Sequence, residues 1–171
     1  TSCTGICDQG PALLVNGRAV SCLDERRIEQ IATLVEAGTA VSHWPGAFFL
    51  VEDNIQRRDQ LLSQQTTDAT PDGSALRALL EDGETAMLET IEAAGLRGRG
   101  GAGFATGMKW RFCRQAEADC RYVVCNADEG EPGTFKDRVL LNSYADSVIE
   151  GMTLCAGIVG AQRGYLYLRG E

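Results

Sequence analysis

Three groups of residues in this chain carry chemistry by type and spacing. The first is Gly95-Leu-Arg-Gly-Arg-Gly-Gly-Ala-Gly-Phe-Ala-Thr-Gly-Met-Lys-Trp110, with glycines at 95, 98, 100, 101, 103 and 107. Glycine lets a flat or charged ligand approach the backbone closely. Successive backbone N–H groups, and the N-terminus of the helix that follows, suit an anion. Arg97, Arg99 and Lys109 add full positive charges, so the stretch suits a phosphate-bearing cofactor. A mobile linker is the plainer reading, but Phe104, Met108 and Trp110 among the glycines are foreign to flexible linkers.

The second group is Asn126, Asp128, Glu129 and Glu131 in Asn126-Ala-Asp-Glu-Gly-Glu-Pro-Gly133. It follows Arg121–Cys125, a β-branched and aromatic run that reads as a buried strand. In open α/β sheets ligands bind beyond the carboxyl ends of strands. These carboxylates can accept hydrogen bonds from ribose hydroxyls or amide groups; a solvated acidic turn is the alternative. The third group is Cys3 and Cys7. Two thiolates on one loop can share iron or zinc, but a site usually needs four ligands. Phe104, Trp110 and Phe112 offer flat surfaces for stacking, or for the core of the next helix. Cys22 is expected to be buried, Cys113, Cys120, Cys125 and Cys155 to be small apolar fillers, and His43 to be structural.

Gly98-x-Gly100-x-x-Gly103 satisfies the G-x-G-x-x-G pattern. In a dinucleotide-binding domain that pattern follows a strand; here a helical segment precedes it. The context therefore argues against an ordinary dehydrogenase fingerprint, and no Gly-Lys-Ser/Thr closes a P-loop.

The elements that must position these groups read as follows. Asn16-Gly17 between two apolar runs, Ala12–Val15 and Arg18–Ser21, predicts a β-hairpin. Asp24 is placed to cap a helix over Glu25–Ala37, which Gly38 ends. Residues 39–54 look irregular, Ile55–Leu62 is mixed, and Ser63–Gly73 has the composition of a connector. Helices are expected from Asp72 or Ser74 to Leu80, over Glu84–Ala94, and over Thr106–Glu117. Two more are expected from Thr134 or Phe135 to Leu141, and over Tyr144–Val159. Arg163–Arg169 reads as a second strand. Strand, helix, strand at this spacing predicts an α/β sheet with parallel strands.

The bulk numbers set limits. A net charge of −8 over 171 residues argues against nucleic-acid binding as the main task. No apolar run is long enough to span a bilayer. Seven cysteines, an odd and scattered set, make poor material for a disulfide framework and fit a reducing, cytoplasmic setting. The chain starts at Thr1 and stops just after its second strand, and it reads as a piece of something longer.

Two long motifs stand in a telling order. Gly98-Arg-Gly-Gly-Ala-Gly-Phe-Ala-Thr-Gly-Met-Lys-Trp110, followed by Cys125-Asn-Ala-Asp-Glu-Gly-Glu-Pro-Gly-Thr-Phe-Lys-Asp-Arg138, resembles the NADH- and FMN-binding subunit of the respiratory complex I family. That family includes NAD-reducing nickel–iron hydrogenases and NAD-dependent formate dehydrogenases. The resemblance covers Ser74–Glu171. The front, Cys3-Thr-Gly-Ile-Cys7-Asp-Gln-Gly-Pro with its hairpin and helix, is similar to the end of the thioredoxin-like [2Fe-2S] domain that accompanies this flavin protein. Fusion of the two in one chain most resembles the diaphorase flavin subunit of the NAD-reducing hydrogenases.

The resemblance implies three segments: residues 1–38 as the end of the thioredoxin-like domain, 39–73 as a linker, and 74–171 as the start of a Rossmann-like FMN/NADH-binding domain of α/β class. It implies a flavin-dependent NAD(H) oxidoreductase that moves hydride between NADH and FMN and passes electrons singly to iron–sulfur clusters. It assigns Gly98, Arg99, Gly100, Gly101, Ala102 and Gly103 to FMN and the dinucleotide, and Lys109 to the FMN or nicotinamide region. Asn126, Asp128 and Glu129 would bind FMN, and Glu131 would bind NADH. Phe104 and Phe112 would stack on the adenine side. Gly170 and Glu171 are also counted with the cofactor site. Cys3 and Cys7 would be two ligands of a [2Fe-2S] cluster. No side chain need act as general acid or base, since the flavin supplies the hydride chemistry.

Expected partners are an iron–sulfur electron-transfer subunit and hydrogenase subunits in a hetero-oligomer, with neither nucleic acid nor a membrane span. This sequence departs from the pattern in places. The C-x4-C half of the cluster motif and the four-cysteine [4Fe-4S] motif are absent, the latter expected in a missing C-terminal part. Ala105 stands where many relatives carry Pro, and Gly130 and Phe135 where Ser and Cys are common. The equivalent subunit of complex I or of a formate dehydrogenase is the nearest alternative. A non-enzymatic [2Fe-2S] carrier and a nucleotide-binding regulatory module are alternatives of another class.

Overall fold

The computed structural model describes residues 3–52, 54–55 and 73–169. It divides into two compact units, one built from Thr1–Arg57, Asp128–Ser143 and Leu168–Glu171, the other from Arg58–Ala127 and Tyr144–Tyr167.

In the first unit, β1 (Leu13–Val15) and β2 (Arg18–Val20) form an antiparallel hairpin with Leu13 opposite Val20 and Val15 opposite Arg18. Asn16 at φ 49° and Gly17 at φ 80° make the turn. Both residues of such a two-residue turn need positive φ, and Asn-Gly tolerates it best. Helix α1 (Glu25–Glu36) follows. Asp24 caps it, its Oδ1 accepting from the Arg27 N–H at 2.7 Å. The Gly38 N–H closes the last turn onto the Val35 carbonyl, with Gly38 at φ 65°.

The core of this unit is Val20, Ile31, Trp44 and Phe48, with Leu13, Val15, Leu23 and Leu34 around them. The first part of the stretch expected as a linker therefore does other work. Residues 41–49 form two 3-10 turns, Val41–His43 and Gly46–Phe49, which lay Trp44 and Phe48 into this core. The Trp44 indole N–H donates to the Thr39 carbonyl at 3.0 Å. The rest of the expected connector, residues 56–72, lies outside the described residues.

In the second unit, α2 (Ser74–Ala93) is interrupted at Gly83, whose φ of 81° and ψ of 167° are not helical. The two helices expected on either side of that point are both present. Helix α3 (Thr106–Gln115) packs against α2. Strands β3 (Tyr122–Ala127) and β4 (Arg163–Leu168) lie side by side. The Gln162 N–H donates to the Arg121 carbonyl, and Gly164 stands against the Val123 carbonyl. Partners thus advance together along both strands, which is the parallel arrangement expected.

Helix α4 (Lys136–Val159) joins the two strands in sequence and breaks at Tyr144, at φ −140°. The break falls between the two segments read as separate helices. One expectation fails: β3 is not a buried strand. Tyr122 and Val124 are more than half exposed, and all six residues of β4 are exposed. The sheet has two strands among the described residues, and Met152 of α4 approaches Gly164 of β4. No helix among the described residues is long and apolar enough to cross a membrane.

Candidate functional site

The glycine stretch is a closed loop. Arg97 and Ala105 form an isolated antiparallel bridge. The Gly98 N–H donates to the Phe104 carbonyl at 2.9 Å, and the Thr106 N–H to the Leu96 carbonyl at 2.9 Å. The Arg97 guanidinium spends one N–H on the Gly103 carbonyl at 3.0 Å. Arg97 therefore braces the loop from within. Gly101 at φ 110° and Gly103 at φ 62° hold backbone that side chains rarely adopt. Gly98, Arg99, Gly100, Gly101 and Ala102 are all exposed.

The loop leads straight into α3, which no side chain caps. Phe104, Lys109 and Phe112 are exposed around its first turns. An uncapped helix N-terminus, an open glycine loop and nearby cations form a donor set suited to a phosphate. A Cβ placed on Gly100 or Gly101 would meet nothing within 4 Å, so the loop face has room for a ligand lying along it. The residues present thus fit the phosphate end of FMN or of a dinucleotide.

Helix α3 is held firmly behind that loop. Arg111 makes two parallel hydrogen bonds to Glu92, from Nε to Oε1 at 2.7 Å and from Nη2 to Oε2 at 2.5 Å. Accepting from Arg111 holds the Glu92 carboxyl below its ordinary value, and donating to Glu92 raises the arginine. Bidentate pairing of this kind fixes orientation as well as contact.

The acidic loop is built differently. Asn126 lies within β3, one residue before its end, and belongs to the second unit, whereas Asp128, Glu129 and Glu131 belong to the first. Glu131 is exposed and Asp128 half-buried. The Thr134 hydroxyl and N–H both donate to the Glu131 carbonyl, at 2.6 and 3.2 Å, which tightens the Pro132-Gly133 turn. A Cβ on Gly130 would stand 2.9 Å from Asp128 Oδ2. Glycine at 130 leaves that carboxylate unhindered.

Glu129 has positive φ, 48°, and its side chain turns onto the start of α4. Oε1 accepts from the Asp137 N–H at 2.8 Å, and Oε2 from the Arg138 N–H at 3.0 Å. Each oxygen thus satisfies a donor that a helix N-terminus would otherwise leave without a partner.

Cys3 and Cys7 come together. The Cys3 thiol is pulled below its ordinary value by the Gly5 N–H against the opposing effect of burial. The Cys7 thiol, the Gly133 N–H and the Arg169 charge pull in the same direction as Gly5. N–H donors and a cation around the Cys3 sulfur favour its thiolate, the form that binds metal. No cluster of three or more ligating side chains occurs among the described residues. Two thiols on one loop can supply half of a four-thiolate site. Cys22, expected to be buried, is exposed, with φ 50° at the end of the hairpin. Its positive φ turns the side chain away from the core that the neighbouring Val20 and Ser21 enter. Gly170 and Glu171 lie outside the described residues.

Two residues were not anticipated. Arg138 Nη2 meets Asp8 Oδ1 at 2.5 Å, and its Nε donates to the Gly5 carbonyl at 3.2 Å. Arg169 Nη2 donates to the Cys3 carbonyl at 2.6 Å. Burial pushes the Asp8 carboxyl up, but hydrogen bonds from Gln9 and Arg138, with the Arg138 charge, outweigh it and hold the carboxyl below its ordinary value. The one signal in sequence was the basic residue closing the acidic motif at Arg138. Nothing local marked Arg169.

Residues 91–171 match the Nuo51 FMN-binding domain family. The whole chain aligns with the NAD-reducing hydrogenase HoxS subunit alpha of Cupriavidus necator, 40% identical and spanning 30% of that protein. An NADH-quinone oxidoreductase subunit of Rhizobium meliloti is 48% identical over 56% of this chain and 23% of its own length. The crystal structure of an NAD+-reducing [NiFe]-hydrogenase in the air-oxidized state superposes with a TM-score of 0.85 at 45% identity. That match covers 98% of this chain and 29% of the other. The chain thus spans less than a third of the length of these relatives. The match to the Nuo51 FMN-binding domain family thus lies in a chain similar to the α subunit of NAD-reducing hydrogenase and to a subunit of NADH-quinone oxidoreductase.

Proposed function

We propose that this chain is the FMN- and NADH-binding part of a diaphorase that exchanges electrons between NAD(H) and a hydrogenase. The observation that carries the reading is the closed glycine loop running into the uncapped N-terminus of α3. It stands within the segment that matches the Nuo51 FMN-binding domain. The hydrogenase setting is favoured over the complex I setting by coverage. The hydrogenase relative aligns with the whole chain, the cysteine loop included, whereas the quinone oxidoreductase relative aligns with 56% of it.

Bound FMN would take up hydride from NADH and release electrons one at a time, chemistry that belongs to the cofactor. The chain's own residues bind and orient. Backbone N–H groups of Arg99–Gly103 and the first turn of α3 receive phosphate, with Arg99 and Lys109 supplying charge, while the Gly98 N–H closes the loop on the Phe104 carbonyl. Asn126 and Asp128 accept from flavin or ribitol groups. Glu129 serves chiefly by fixing the loop on α4, since both its oxygens already cap that helix. Glu131 accepts from NADH, and Phe104 and Phe112 offer faces to its adenine. Gly170 and Glu171 complete this set.

Cys3 and Cys7 supply two thiolates to a [2Fe-2S] centre, and a [4Fe-4S] centre is expected in the longer protein. Residues 1–38 are assigned to a thioredoxin-like domain and 74–171 to a Rossmann-like one. Partners are iron–sulfur and hydrogenase subunits in the cytoplasm, a setting consistent with seven cysteines, all within the described residues, that form no disulfide.

A visible spectrum of the full-length protein tests the reading. Flavin bands that bleach on adding NADH are expected. Iron–sulfur bands without flavin would favour a simple electron carrier instead. Glu131→Gln should raise the dissociation constant for NADH roughly tenfold or more, the usual effect of losing a charge-assisted hydrogen bond, while FMN content stays normal. An unchanged NADH affinity overturns the Glu131 assignment.

A further inference from the structure

Two arginines tie the cysteine loop to the acidic loop within the first unit: three of their hydrogen bonds reach the cysteine loop and two reach Glu129. The Arg138 backbone N–H is held by Glu129 Oε2 at 3.0 Å. Its guanidinium reaches back to Asp8 Oδ1 at 2.5 Å and to the Gly5 carbonyl at 3.2 Å. Arg169 spans the same two loops. Its Nη2 donates to the Cys3 carbonyl at 2.6 Å and its Nη1 to the Glu129 carbonyl at 3.4 Å.

The pair at the centre is well shielded, with the Asp8 side chain 5% and the Arg138 side chain 20% exposed. Asp8 is fixed from its other side by Gln9 Nε2 at 2.7 Å and Asn54 Nδ2 at 3.2 Å. Gln9 is itself 2% exposed. Its Oε1 accepts from the Glu52 N–H at 3.1 Å. Each partner in the chain is therefore locked by another, so Arg138 has little freedom to drift from its place.

This arrangement does more than hold a loop. Arg138 and Arg169 grip the carbonyls of Gly5 and Cys3, which fixes the peptide planes between Cys3 and Cys7. Fixing those planes sets where the intervening N–H groups point relative to the sulfurs. Hydrogen bonds to cluster sulfurs, net charge and solvent exposure are the levers that set the potential of an iron–sulfur centre. Arg169 also places positive charge beside Cys3, while the Arg138 charge, held on the same loop at the Gly5 carbonyl, is balanced by Asp8. Coulomb attraction in a partly shielded site is not screened away.

We propose that Arg138 and Arg169 are positioning residues for the metal centre held by Cys3 and Cys7, and that the Arg138–Asp8 ion pair sets its reduction potential. The proposal rests on the reading of Cys3 and Cys7 as ligands of a [2Fe-2S] centre. Arg138→Met leaves the Asp8 anion without its counter-charge and should make the centre harder to reduce. Asp8→Asn leaves the arginine cation without its anion and should make it easier. Arg138→Lys keeps the charge and should fall close to the parent.

The experiment is a potentiometric titration of the [2Fe-2S] electron paramagnetic resonance signal in the full-length holoprotein and these variants, with Cys3→Ser as the control. Arg138→Met should shift the one-electron equilibrium about tenfold towards the oxidised form, equivalent to about 59 mV. Asp8→Asn should shift it in the opposite direction, and that near-isosteric variant decides the matter if Arg138→Met does not fold. A signal that depends on Cys3 but has the same potential in Asp8→Asn and in any folded Arg138→Met overturns the positioning role alone. No such signal in the parent protein, or one that survives Cys3→Ser, overturns the ligand reading and this proposal with it.

Discussion

Gly107 lies directly against the backbone of Glu92. A Cβ at position 107 would stand 3.0 Å from the Glu92 nitrogen and 3.1 Å from its Cα. Gly107 is buried in the first turn of α3, so the absence of a side chain there lets two helices touch along their backbones. The same stretch of α2 then meets Arg111 one turn further along α3. Close backbone approach and the bidentate ion pair together fix the helix whose N-terminus faces the glycine loop.

Gly107→Ala should therefore destabilise the protein, although alanine is the better helix former. The helix preference favours alanine by about 1 kcal/mol, whereas overpacking a tight contact costs about 1–3 kcal/mol. The Glu92 nitrogen and Cα are backbone atoms, which have little room to yield. Urea unfolding followed by circular dichroism should show a lower midpoint for the variant. An equal or higher midpoint would mean that α2 and α3 are not so close.

Acid should act on the first unit through Asp8. Its carboxyl is held below the ordinary value of 3.8 in the folded chain. A depressed carboxyl contributes stability that is fully present above its unfolded value and is lost as pH falls through the folded one. The expected window thus opens near pH 4 and extends downward. Asp8→Asn should be less stable than the parent at pH 7, and the gap should narrow below pH 4 as the parent's carboxylate protonates. Urea midpoints at pH 7, 5 and 3 check this, and a gap independent of pH would remove Asp8 from the acid response.

Thiol reactivity should separate the cysteines by environment. Burial, and then the neighbouring Cys113, pushes the Cys155 thiol up to about 11. The thiolate is the reactive form, so at pH 8 only about one molecule in a thousand carries it at this position. Cys22 is exposed. Brief treatment of the native protein with iodoacetamide, followed by peptide mapping, should find label at Cys22 long before Cys155. Equal labelling of the two would contradict the half-buried environment of Cys155 on α4.

Much of this was legible because the signals were local. Asn16-Gly17 needs no distant residue to make its turn, and Asp24 caps α1 through a donor three residues away. Gly83 and Tyr144 interrupt α2 and α4 where the sequence reading already separates two helices. What escaped notice was tertiary. Trp44 and Phe48 sit in a stretch without periodicity, and only the hairpin and α1 make them a core. Arg138 and Arg169 act on residues more than 120 positions away. The reach of the Glu129 oxygens forward to α4 has no marker in its acidic neighbours. The exposure of β3 and β4 depends on what neighbours a sheet has, which alternation within a strand does not report.

The far end of α3 shows the same dependence in a single side chain. Arg121, at the threshold of β3, donates to the carbonyls of Cys113, Arg114 and Ala116. Those are acceptors that the last turn of a helix leaves without partners. One guanidinium thus does for α3 what a glycine in a left-handed turn does for α1. The sequence continues with helix-compatible residues to Glu117, yet the helix stops at Gln115. Its length is therefore not a property of its own residues: an isolated peptide of this segment would have no reason to end where the folded chain does.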